Sequence, residues 1–188
     1  MNHIAVAVIK HGGQTGILNS LGGIMIRTGL STGVFMHSNA ALITRFYTAL
    51  SRRDGAAMAA CYADNASFSD PVFVGLKNGE PGKMWRMLCK RAKDMTVVFD
   101  GIEADDAIGT AHWVATYTFS EARSKVVNDV QARFTFKHGK IETHQDQFDL
   151  YLWMRQALGL KGVLLGRIPA VQAKLRKTAR ARLDAFKG

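Results

Sequence analysis

From Met95 to Leu150 apolar and polar residues alternate with a period of two in four consecutive stretches, and nothing else in the chain narrows its fold so far. The stretches are 95–103, 108–119, 126–136 and 141–150, with turns at Asp105-Asp106 and His138-Gly139. Period two is the repeat of a strand with one buried face, and short turns between such strands make an antiparallel meander. Ahead of the meander the repeat is helical. Leu42, Ile43, Phe46, Tyr47 and Leu50 follow Ser38, the expected N-cap, at helical spacing. Asp54 is suited to cap a second short helix carrying Ala57, Met58, Cys61 and Tyr62. A strand is expected over 66–73, where Pro71 marks it as short or at an edge. Met84, Trp85, Leu88, Cys89 and Ala92 supply the stripe of a third helix. This order predicts an α+β domain, a curved antiparallel sheet forming a cone with N-terminal helices that enclose a pocket.

A chain of 188 residues suffices for one core of ordinary size. Its formal charge of +10 would suggest an acidic partner if it were spread over the domain. Residues 36–160 carry 15 Lys or Arg against 14 Asp or Glu, whereas residues 161–188 carry 8 against Asp184 alone. The basicity therefore belongs to the tail, and nucleic acid is not the expected partner. In that tail Pro169 suits a first helical turn, and Ile168, Val171, Leu175, Ala179 and Leu183 follow one face. The expected arrangement is a peripheral helix over part of 161–188 that docks its apolar stripe on the domain or on a second subunit. Membrane-surface binding by its basic face is the less favoured alternative.

Residues 1–35 hold seven glycines, no acidic residue and neither period, which predicts an unstructured extension outside the core, with Met36 as the functional start. The apolar run from Ile4 to Ile9 is too short for a signal h-region, and no run approaches the roughly 18 residues of a spanning helix. Cys61 and Cys89 stand in neither a CxxC nor a Cys/His ligand spacing, so they read as small buried hydrophobes in a reducing compartment. The histidines do not cluster at ligand spacing either. No metal, cofactor or disulfide framework is implied, and a cytoplasmic location is expected.

The segment Tyr62-Ala63-Asp64-Asn65-Ala66-Ser67-Phe68-Ser69-Asp70-Pro71 resembles the ketosteroid isomerase signature, in which a tyrosine-alanine-aspartate turn leads into a strand ending in aspartate-proline. Gly139-Lys140-Ile141-Glu142-Thr143-His144-Gln145-Asp146 resembles the matching strand of SnoaL-like polyketide cyclases. From Ser38 to about Leu158 the chain is thus similar to the nuclear-transport-factor-2-like superfamily, which implies a ketosteroid-isomerase-like, cystatin-like roll over 36–160. The resemblance also implies a small apolar ligand and a homodimer paired through the open sheet face. An isomerase, cyclase or hydrolase using general acid/base carboxylate chemistry fits this class. So does a non-catalytic ligand-binding or dimerisation module. A cavity of at least about 300 Å³ on which the polar candidates converge would favour the first.

Three residues are candidate catalytic groups. The resemblance puts Asp70 on the isomerase's general base, and period two puts it on the face of Ala66 and Phe68, where an apolar cavity would raise its pKa. His144 and Asp146 share a face of the last strand with Phe148, the face that contributes acid/base chemistry in SnoaL-like cyclases, and can form a hydrogen-bonded pair. The bland alternative has Asp70 capping the loop at Pro71 and the pair filling a polar niche. Phe46, Tyr47, Phe68, Trp85, Trp113, Gln131 and Phe148 are the candidate pocket residues. Phe46 and Gln131 fall where the isomerase has its oxyanion-hole tyrosine and aspartate. Phe46 cannot donate, Gln131 donates only as a neutral amide and has the parity of Asp129 and Arg133, and steroid isomerisation is therefore not expected. The aspartate, arginine, aspartate set of limonene-epoxide-hydrolase-like proteins is met in part by Arg133 and Asp146, but Asp129 stands on the wrong side of Arg133. Trp113, with Ala111, Ala115, Tyr117 and Phe119, reads as core before ligand platform.

Overall fold

His37, not Ser38, opens the first helix. Its Nδ1 accepts the Asn39 N–H at 3.2 Å, capping α1 (Ser38–Ser51). Asp54 caps α2 (Gly55–Ala59) by accepting the Ala57 N–H at 2.9 Å. The computed structural model describes residues 36–119 and 123–187, so the expectation for residues 1–35 lies outside the described residues. The remaining elements are β1 (Tyr62–Ser69), α3 (Glu80–Arg91), β2 (Thr96–Ala104), β3 (Ile108–Phe119), β4 (Ser124–Lys137), β5 (Lys140–Gln147), α4 (Leu150–Leu158), α5 (Leu160–Leu165) and α6 (Pro169–Ala185).

The strands form one curved, unclosed sheet in the order β1-β5-β4-β3-β2. Four of them make the antiparallel meander read from period two. The exception to an all-antiparallel sheet is β1, which lies parallel on β5 with Phe68 opposite His144. After β1 the chain crosses by α3 to the far edge and runs back as β2, and three further reversals bring β5 home in the direction of β1.

One sheet face is buried by Trp113 and Ala115 of β3, Val130, Ala132 and Phe134 of β4, and Ile141 of β5. The helices close over it with Ile43, Phe46, Tyr47 and Leu50 from α1 and Met84 and Trp85 from α3. The opposite face carries His112 between Asp100 and Asp129, at 2.8 and 3.0 Å.

Helix α6 starts at Pro169 and is not peripheral. Leu183 is 1% exposed and belongs to the main core, while Val171, Leu175 and Ala179 pack partly buried beside it. Polar contacts hold the helix in place: Arg180 pairs with Glu80, Arg176 Nε donates to the Pro71 carbonyl at 2.9 Å, and Lys83 Nζ donates to the Asp184 carbonyl at 3.2 Å. Of the stripe read from the sequence, Val171, Leu175, Ala179 and Leu183 thus dock on the domain, whereas Ile168 is 42% exposed.

Candidate active site

Between the inner sheet face and the helices lies a cavity of about 490 Å³. Its walls are mostly apolar: Trp113, Ala115 and Tyr117 from β3, Trp85 and Met87 from α3, Trp153 and Met154 from α4, and Leu175 and Ala179 from α6. Asp70, Asn128 and Asp146 interrupt the apolar lining, and Arg91, Lys174 and Arg182 also border the cavity.

Asp70 directly follows β1, and the chain turns back at once. Its Oδ1 accepts the backbone N–H groups of Val72 at 2.6 Å and Phe73 at 2.5 Å, and its own N–H donates to the Phe73 carbonyl at 2.9 Å. Asp70 therefore caps the loop at Pro71, as the bland reading had it, and also lines the cavity. Burial raises the carboxyl from 3.8 to about 7; the two N–H bonds oppose this rise, and the charge of Asp146 adds to it.

On β5 the side chains of His144 and Asp146 are both buried, with Nε2 of the former 2.9 Å from Oδ1 of the latter. The ring's Nδ1 lies 2.6 Å from the hydroxyl of Tyr62, which accepts the indole N–H of Trp85 at 2.9 Å. Trp113 Nε1 approaches the same Asp146 oxygen at 3.5 Å. One proton arrangement gives every donor an acceptor: Trp85 donates to Tyr62, Tyr62 donates to Nδ1, and Nε2–H donates to the Asp146 carboxylate. Burial holds the Tyr62 hydroxyl in its neutral form, with its pKa well above the usual phenol value. His144 thus stands one layer behind the cavity and presents Asp146 to it. Around the ring pack Phe134 at 4.2 Å, Phe68 at 5.0 Å and Phe46 at 5.4 Å between centroids.

Two residues not singled out as site residues complete the polar part. Tyr117 lines the cavity and its oxygen accepts the Trp153 indole N–H at 2.8 Å, so the phenol proton is left to donate elsewhere. Burial raises its pKa, and the charge of Asp70 contributes to that rise. Tyr117 was legible only as one member of an aromatic stripe, and Trp153 lies past the last strand, where no motif marked it.

Of the candidate pocket residues, Trp85, Trp113 and Phe148 line the cavity. Phe46, Tyr47 and Phe68 do not. They are fully packed core beneath it, because α1 and β1 press them against the sheet. Gln131 is also corrected: it is exposed on the outer face of β4, as is Arg133, for the alternation of the strand turns Val130 and Ala132 inward. The partial epoxide-hydrolase set is dispersed by the same parity. Among the described residues no group of three or more His, Cys, Asp or Glu assembles a metal site.

Residues 43–144, more than half of the chain, match the family model described as SnoaL-like domain. Comparison with curated proteins finds no match. Among solved structures, an NTF2-like protein of unknown function from Burkholderia pseudomallei has a TM-score of 0.57 at 15% identity, covering 65% of this chain and 98% of its own. An LEH-like epoxide hydrolase from M. tuberculosis has a TM-score of 0.52 at 18% identity, covering 70% of this chain and 96% of its own. A protein with ketosteroid isomerase-like fold from Catenulispora acidiphila, in complex with trimethylamine, has a TM-score of 0.54 at 14% identity, covering 62% and 91%. At these identities the likeness is one of fold.

Proposed function

Because this chain belongs to the SnoaL-like domain family, whose fold surrounds a cavity here, we propose that it binds a small, largely apolar carbonyl compound and that Asp70 moves a proton on it. The observation that carries this reading is the position of the Asp70 carboxyl in the wall of a mostly apolar cavity, where burial raises it to about 7. A carboxylate with a pKa near the working pH is a competent general base, and its conjugate acid can return what it took. In the proposed step Asp70 takes a proton from the carbon next to the carbonyl, and the electron pair moves onto the carbonyl oxygen. That oxygen is received by the Tyr117 O–H, whose own oxygen is held by Trp153. Returning the proton from Asp70 to another carbon of a conjugated ligand gives an isomer, while attack of the carbanion on a second carbonyl carbon of the same molecule breaks that C=O π bond, and the oxygen so charged takes the proton from Asp70 to give a hydroxyl-bearing ring. Asp146, fixed by His144, orients the ligand as an acceptor.

Deuterium exchange tests the step without knowledge of the natural substrate. A panel of small cyclic ketones incubated with the protein in D₂O should gain deuterium beside the carbonyl, and Asp70→Asn should slow that gain at least about a hundredfold. Ligand retained through purification and seen by native mass spectrometry, with no exchange on any ketone, would favour a binding module.

A further inference from the structure

Helix α5 turns its small residues toward the protein and its large ones away. A Cβ on Gly162 would stand 2.0 Å from the Met154 carbonyl oxygen, and one on Gly166 would stand 3.0 Å from the Tyr151 ring, so this backbone lies against α4 with no room for side chains. The large residues consequently point outward. Leu160 is 80% exposed and Leu164 76%, with Val163 and Leu165 at 43% and Ile168 at 42%. Leu160, Val163 and Leu164 share one helix face by their spacing. Single exposed leucines are ordinary, but a cluster of this size on one short segment marks an interaction surface.

The segment that carries it is cationic. Residues 150–188 carry nine Lys or Arg and one acid, Asp184. Lys161 within α5 and Arg167 just after it are exposed, and the Arg167 guanidinium lies 4.4 Å over the Tyr151 ring of α4. A second copy set against this surface would oppose cations to cations. An anionic surface with an apolar interior satisfies both features, as it does for interfacial helices that bury a leucine face at the acyl boundary with basic residues at the headgroups.

We propose that α5, with its flanking basic residues, is a docking surface for an anionic phospholipid bilayer. Leu160 and Leu164 enter the acyl boundary, and Lys161 and Arg167 meet the phosphates. Each cation held there strengthens partitioning roughly fivefold. No helix among the described residues is long and apolar enough to cross a membrane, so this docking is peripheral. Leu158, two residues before Leu160, lines the cavity, which places its α4 wall next to the docked segment.

The test is co-sedimentation of the full chain with vesicles of phosphatidylcholine alone or with roughly a third phosphatidylglycerol, at about 0.05 and 0.5 M salt. The chain should partition at least about tenfold better onto the anionic vesicles and lose most of that at high salt. Leu160→Gln with Leu164→Gln should weaken partitioning at least about tenfold without lowering Tm, since both side chains are exposed. Lys161→Gln with Arg167→Gln should flatten the salt dependence. Absence of anionic-vesicle binding overturns the proposal, as does binding that none of the variants changes. A dimer in sedimentation that the leucine variant dissociates, with no vesicle binding, would make a second copy the occupant instead.

Discussion

His144 Nε2 stands 2.9 Å from Asp146 Oδ1 on the inner face of one strand; both are buried, Asp146 in the cavity wall and His144 behind it, with Tyr62 on the far side of the ring. The pair decides how a carboxylate survives in an aromatic core. Asp146 keeps one strong donor, His144 keeps its tautomer, and both depend on a tyrosine from the neighbouring parallel strand.

Breaking this chain at the histidine is expected to be costly. His144→Leu leaves the buried Asp146 with Trp113 at 3.5 Å as its remaining described donor, and should lower unfolding free energy by about 3–5 kcal/mol in urea titration. Tyr62→Phe leaves the Trp85 N–H and His144 Nδ1 without a partner, and should cost about 1–3 kcal/mol. A His144→Leu protein as stable as the parent would mean that the chain organises nothing.

Asp70 gives stability a pH dependence of definite sign. Its folded pKa, about 7, lies above the ordinary 3.8, so the folded state holds the proton more tightly than the unfolded state. The stabilisation is full below 3.8, falls as pH rises between the two values, and is gone above about 7. The linkage amounts to at most roughly 4 kcal/mol before solvent screening. Asp70→Asn keeps an acceptor for Val72 and Phe73 but cannot ionise, so the difference in stability between variant and parent should grow in the variant's favour from pH 4 to pH 8. Parallel stability curves across that range would remove Asp70 as the source.

The Tyr47 hydroxyl is buried without a hydrogen-bond partner among the described residues, its ring stacked on Phe99 at 5.6 Å. Tyr47→Phe removes an unsatisfied polar atom and keeps the ring. It should be neutral or stabilising by about 1 kcal/mol in thermal unfolding. A loss of more than that would reveal a partner for the hydroxyl.

Leu183 ties the last helix into the main core at 1% exposure. Leu183→Ala should cost about 2–5 kcal/mol, and because α6 forms one wall of the cavity it should also weaken uptake of an apolar fluorescent dye. Dye binding unchanged by the loss would place the cavity's integrity outside α6.

Local chemistry along the chain determined most of the architecture. Period two from Met95 to Leu150 defines four strands and which residues face inward, since a one-residue slip would reverse every side chain. The helical spacing of Leu42 to Leu50 and the stripe ending at Leu183 needed no tertiary knowledge, and the parity of Gln131 already set it apart from the inner face. Alternation put Asp70 on the face of Ala66 and Phe68, but it carried the strand on to Phe73; the strand stops at Ser69, and only the resemblance to the isomerase signature marked an end at Asp70-Pro71.

What the tertiary structure decided is how residues from different elements meet. The pairing of Tyr62 with His144 depends on β1 lying parallel to β5, a register that no local pattern encodes. Tyr117 becomes a polarised donor only because Trp153, 36 residues later, folds back over it. Phe46, Tyr47 and Phe68 carry the same apolar signal as Trp85 and Trp113. Only packing distance separates core from cavity wall, for burial depends on what stands opposite a side chain and not on its own hydrophobicity. In α5 the glycine contacts with α4 leave the leucines facing outward, so that helix's exposed face came from close backbone packing rather than from periodicity.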